Sequence, residues 1–97
     1  MKKRPRDFLT RETLLCQLAE EAAELAQAAL KERRTLSDEN PTPKTYQNAH
    51  IDLLEEVADV YVSLGELLSL MDWEIVAHTR AEKEKRWMQR LEEKESK

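Results

Sequence analysis

At 97 residues, 37% charged and 40% hydrophobic, the chain is long enough for one domain and too short for a large core. Its single Gly and three Pro, set among abundant Ala, Leu, Glu, Lys and Arg, exclude a turn-rich β-fold and indicate an all-α protein. A formal charge of −4 argues against nucleic acid as a partner, and no run is apolar enough for a signal peptide or a membrane span.

Residues 1–8 form a charged lead-in whose Lys2-Lys3-Arg4-Pro5-Arg6 run reads as a solvated terminus. Thr10 is the expected N-cap of a first helix, with Asp7 as the alternative and Glu12 suited to the first turn. From there to about Arg34 no Gly or Pro intervenes. Leu14, Leu15, Leu18, Ala22, Leu25, Ala26 and Ala29 recur at three- and four-residue steps, as an amphipathic helix requires. Lys31, Arg33 and Arg34 suit the negative end of its dipole. The lone Cys16, placed among these leucines, reads as a small buried hydrophobe and points to a reducing, cytoplasmic setting.

Residues 35–46 are the expected loop, held out of helix by Asn40-Pro41 and Thr42-Pro43. A second helix is predicted from near Tyr46 to about Met71. Leu53, Leu54, Val57, Val60, Tyr61, Leu64, Leu67, Leu68 and Met71 mark its broad buried face. Gly65 interrupts it at a cost of about 1 kcal/mol relative to Ala, so either a close helix approach or a kink is expected there. Asp72 reads as the N-cap of a third helix, from Trp73 to about Lys94, with Ile75, Val76, Thr79, Trp87 and Leu91 as apolar contacts. Residues 92–97 are expected to fray. The whole is one domain of three long helices in an antiparallel bundle. So small a core favours burial of more apolar surface against a second copy.

The acids have a pattern of their own. At about 100° per residue, Glu21 borders the Leu14/Leu18/Leu25 stripe, with Glu24 and then Glu20 further round. On the second helix Glu56 lies at the rim of the apolar arc, Asp59 beside it, and Glu55 points to solvent. Each helix thus carries an i, i+3 carboxylate pair at the margin of its buried face. Antiparallel packing would gather all four, and a hard divalent cation would resolve their repulsion. Oxygen-only ligands select Mg²⁺, Mn²⁺ or Ca²⁺ over zinc, and Mg²⁺ is the expected ion. Glu-x-x-His, the di-iron pattern, is absent, and His50 and His78 read as surface or partly packed residues. On the third helix Lys83, Arg86 and Arg90 share the face of Ile75, Val76 and Thr79. That face reads either as a phosphate-binding stripe or as a set of intrahelical pairs with Glu82, Glu84, Glu92 and Glu93. Trp73, Trp87, Tyr46 and Tyr61 read as core or interface residues.

The run Glu20-Glu21-x-x-Glu24, followed on the next helix by Glu56-x-x-Asp59, resembles the E-E-x-x-E … E-x-x-D signature of MazG-type all-α nucleoside triphosphate pyrophosphohydrolases. Lys83-x-x-Arg86 with Arg90 resembles the basic third-helix segment of such proteins, and the likeness spans about residues 13–91. One departure is Trp87-Met88-Gln89, where many relatives carry an Asn. The resemblance implies hydrolysis of a nucleoside triphosphate between its α and β phosphates, giving monophosphate and pyrophosphate. It implies Glu21, Glu24, Glu56 and Asp59 as Mg²⁺ ligands, with Mn²⁺ as a substitute. Glu20 would orient or deprotonate water, or hold a second ion, while Lys83, Arg86 and Arg90 contact phosphate. A homodimer or homotetramer, with a four-helix core completed by a second subunit, is implied as well. A phosphoribosyl-ATP pyrophosphohydrolase and a catalytically silent metal- or nucleotide-binding regulator are the alternative readings.

Overall fold

Three α-helices hold most of residues 2–37 and 43–96, the part that the computed structural model describes. They are α1 (Arg11–Thr35), α2 (Tyr46–Leu67) and α3 (Leu70–Ser96), preceded by a 3-10 turn at Pro5–Asp7, and there is no strand among the described residues. None of the helices is long and apolar enough to cross a membrane. The Asn40-Pro41 pair lies outside the described residues.

Local chemistry fixes the helix ends. Thr10 caps α1 as expected, its Oγ1 accepting the Thr13 N–H at 3.2 Å. At the other end the Leu36 and Ser37 N–H groups donate to the Arg33 and Arg34 carbonyls. Thr45 caps α2 through its hydroxyl, which accepts the Asn48 N–H at 3.2 Å. The second boundary differs from the sequence expectation: α2 ends at Leu67 and α3 begins at Leu70. Ser69, not Asp72, is the cap. Its N–H donates to Asp72 Oδ2 at 2.9 Å while its Oγ accepts the Asp72 N–H at 3.1 Å, the reciprocal pair of a capping box. At its far end α3 stays helical through Ser96, where fraying was expected.

The chain divides into two units, one ending at Leu67 and the other starting at Leu68. In the first, α1 and α2 pack against each other. Contacts run in opposite chain order, Arg11 to the Leu67 carbonyl at one end and Glu32 to His50 at the other, so the pair is antiparallel. Leu14, Ala28, Ala49 and Leu67 are buried, and Leu18, Leu25, Leu53, Val57, Val60 and Leu64 half-buried between them. The rest of the apolar arc stays open: Leu15 and Leu54 are about half exposed and Tyr61 more so. Cys16 is exposed too, contrary to expectation, because α1 turns only the centre of its apolar arc toward α2.

The lead-in is not a free arm. Arg4 Nε and Nη2 donate to Glu66 Oε2 at 3.1 and 2.8 Å, and the Arg6 N–H donates to Oε1 at 2.9 Å. Arg4 also covers Gly65, its guanidinium 4.0 Å from where a Cβ would stand; a side chain, not a helix, makes the approach. Lys3 in turn lies 5.4 Å from the Phe8 ring centre.

The second unit is the helix α3. It buries no residue, and Ile75, Val76, Trp87 and Leu91, expected to be packed, are exposed. A single helix offers its own apolar stripe nothing to bury against.

Candidate metal centre

Antiparallel packing of α1 on α2 puts the two acidic pairs on the same side of the hairpin. Glu21 and Glu24 follow the stripe of Leu14, Leu18 and Leu25. Glu56 and Asp59 follow Ala49, Leu53 and Val60 at matching positions. One carboxylate oxygen from each of the four residues lies within 4.8 Å of all the others. Glu21 and Glu56 are half-buried, Glu24 and Asp59 exposed, so the cluster has an inner and an outer pair.

The inner pair is under electrostatic stress. Glu21 Oε2 and Glu56 Oε2 are buried and accept no hydrogen bond. Desolvation, followed by the charges of Glu24, Asp59 and Glu56, pushes the Glu21 carboxyl above its ordinary range. Desolvation, followed by Glu24 and Asp59, does the same to Glu56. Two hidden carboxylate oxygens without a donor are costly groups unless something positive sits among them.

The donor set fits a hard divalent cation. All four ligating atoms are carboxylate oxygens, which suit Mg²⁺, Mn²⁺ or Ca²⁺ and disfavour zinc. Opposite oxygens around an ion at about 2.1 Å lie ~4.2 Å apart, and at about 2.4 Å they lie ~4.8 Å apart. The observed span of 4.8 Å therefore needs at most a small contraction to close on such an ion.

The remaining predicted residues lie elsewhere. Glu20 is exposed and its carboxylate is not among the four that converge. Glu55 is exposed, as its helical position predicts. Lys83, Arg86 and Arg90 belong to α3, exposed on one face together with Arg80, Glu84 and Trp87. That face was expected to be packed, and it is open. Intrahelical pairing accounts for little of it: Arg80–Glu84 at 3.8 Å is the ion pair formed there among the described residues. His50 is half-buried with Nδ1 2.8 Å from Glu32 and its ring stacked on Tyr46, and His78 is exposed.

Two features escaped the sequence reading. The Arg4–Glu66 clasp joins residues 62 apart, beyond any local pattern. The other is a cleft of about 310 Å³ between α1 and α2, lined by Glu24, Gln27, Lys31, Asp52, Glu55 and Glu56. Its signal was the seven-residue step from Glu24 to Lys31, two helical turns on one stripe. Comparison of the chain with protein-family models, with curated proteins and with solved structures gives no match.

Proposed function

We propose that this chain is a Mg²⁺-dependent nucleoside triphosphate pyrophosphohydrolase, with Glu21, Glu24, Glu56 and Asp59 as the metal ligands. The observation that carries the metal site is the convergence of these four carboxylates with two buried oxygens left unpartnered. The reaction rests on the likeness of Glu20-Glu21-x-x-Glu24 and Glu56-x-x-Asp59 to the MazG-type signature.

The chemistry asked of the chain is positioning and charge neutralisation, with no covalent intermediate. A water oxygen bonds to the α-phosphorus, and the bond from that phosphorus to the α–β bridging oxygen breaks. Monophosphate and pyrophosphate result. Glu20, exposed beside the cluster in sequence, accepts the proton of the attacking water. Lys83, Arg86 and Arg90 neutralise phosphate oxygens as point charges and forks. Glu21, Glu24, Glu56 and Asp59 would hold a cation whose charge would neutralise and polarise the triphosphate.

A second copy belongs to this reading. On the side of the hairpin opposite the acids, Leu15, Ala22 and Ala26 of α1 and Leu54, Ala58 and Tyr61 of α2 are all exposed. Pairing that face with its equivalent yields a four-helix core and the buried area that one hairpin lacks. Sedimentation at micromolar concentration is expected to give a dimer or tetramer.

The decisive experiment incubates the protein with Mg²⁺ and a panel of nucleoside triphosphates, modified bases and phosphoribosyl-ATP included. Pyrophosphate and monophosphate are the expected products. Release of orthophosphate, or no turnover of any member, overturns the assignment.

A further inference from the structure

The acid-bearing side of the hairpin has one blocked end and one open end. Glu66 stands seven residues beyond Asp59, two turns along the same stripe of α2, and there Arg4 and Arg6 bind it. The docked lead-in fills that end. In the other direction the cleft between α1 and α2 begins at Glu24 and Glu56 and runs on past Gln27 to Lys31. A chain of phosphates anchored at the four carboxylates has this direction open to it.

Lys31 is placed to receive such a chain. It lies about 10 Å along the helix axis from Glu24, helical Cα–Cβ bonds tilt toward the N-terminus, and it lines the same cleft as Glu24 and Glu56. The cleft also holds Asp52, Glu55 and Glu56, yet Lys31 forms no ion pair among the described residues. Asp52 is taken by Lys44 instead. Gln27, one turn before Lys31, adds an amide donor on the same wall. The opposite wall is acidic, which repels a bare phosphate and admits one that arrives with divalent cations.

We propose that Lys31, with Gln27, holds the distal end of a metal-bound polyphosphate, the part released as pyrophosphate. This rests on the metal reading of the four acids and deepens it. The site would recognise a magnesium diphosphate group in any larger molecule that carries one, and it makes Lys31 a substrate-positioning residue with no share in proton transfer.

Calorimetric titration of the full chain with pyrophosphate, at saturating Mg²⁺, tests this without requiring turnover. Wild type is expected to bind, Lys31→Met to bind about tenfold or more weakly, and Lys31→Arg to recover most of the loss. Mg²⁺ titration alone should be no weaker in Lys31→Met, since that change removes a cation from beside the acids. Equal pyrophosphate affinity in wild type and Lys31→Met, or no binding by a wild type that does bind Mg²⁺, overturns the inference. Lys31-dependent pyrophosphate binding by a protein that hydrolyses no nucleotide would instead uphold this subsite and remove the proposed reaction.

Discussion

Glu66 and the Glu21/Glu56 pair are carboxylates on one helical hairpin, each withdrawn from water, and their surroundings are opposite. Glu66 accepts three donors from Arg4 and Arg6. The Arg6 N–H, and then Arg4, hold its carboxyl below the ordinary range in spite of its burial. Glu21 and Glu56 each have one oxygen buried with no donor, and they converge with the carboxylates of Glu24 and Asp59. The first carboxylate is satisfied within the chain and does structural work. The second pair has no donor among the described residues, and its cluster of oxygens could hold a cation. Burial of an acid is therefore uninformative until its partners are counted.

The largest effect that would break this contrast is on activity. Glu21→Gln and Asp59→Asn are each expected to lower kcat/KM for pyrophosphate release by about a hundredfold or more, by loss of a ligand to a charge-stabilising ion. The same Glu21→Gln change should raise the melting temperature of the metal-free protein at neutral pH, because it relieves repulsion. Full activity in either variant would cancel the distinction between the two kinds of carboxylate.

Next comes the clasp. Arg4→Ala strands Glu66 with the Arg6 N–H as its remaining donor, and Glu66→Gln sets an amide where acceptors are wanted. Both should lower thermal stability by several degrees and leave Mg²⁺ affinity unchanged, as thermal melts and metal titration would show. Equal stability in Arg4→Ala would return residues 1–8 to the status of a solvated tail.

pH should separate the two environments by sign. Glu66, lowered from its ordinary value of 4.5, stabilises above about that pH, and this contribution disappears as pH falls through its folded value. Glu21 and Glu56, raised from 4.5, favour the protonated folded state, so stability is lost as pH rises through their folded values. Metal-free protein should thus melt highest in the mildly acidic range above 4.5 and lower at neutrality, and Mg²⁺ should abolish the neutral-side decline. A metal-free melting curve flat from mildly acidic to neutral pH would refute the stress assigned to the inner pair.

The smallest effects concern the backbone. Ser69→Ala removes one half of the capping box that starts α3 and should cost about 1 kcal/mol of helix stability, read by circular dichroism. Gly65→Ala should stabilise by up to about 1 kcal/mol, since Arg4 at 4.0 Å leaves room for a methyl group. Destabilisation by Gly65→Ala would mean that the clasp needs a closer approach than this.

Much of this was legible because it is local. Three- and four-residue spacing gave the first helix and the Thr10 cap, and the i, i+3 steps of Glu21–Glu24 and Glu56–Asp59 put each acidic pair at an apolar margin. The Ser69-x-x-Asp72 box is equally local, but Leu67, Leu68 and Met71 continue the apolar period across the break and mask it. Helical periodicity reports which face is apolar and says little about where one helix stops and the next begins.

By itself, then, the sequence determined the three helices, the side on which each acidic pair lies, and the oxygen-only character of the donors, all consequences of 3.6 residues per turn. Only the tertiary structure decided that the four acids meet within 4.8 Å, that two of their oxygens are hidden without partners, and that Arg4 reaches Glu66. It also decided which leucines stay exposed. Those outcomes depend on the register and antiparallel sense of α1 against α2, and contacts between residues far apart in the chain have no spacing from which to be read.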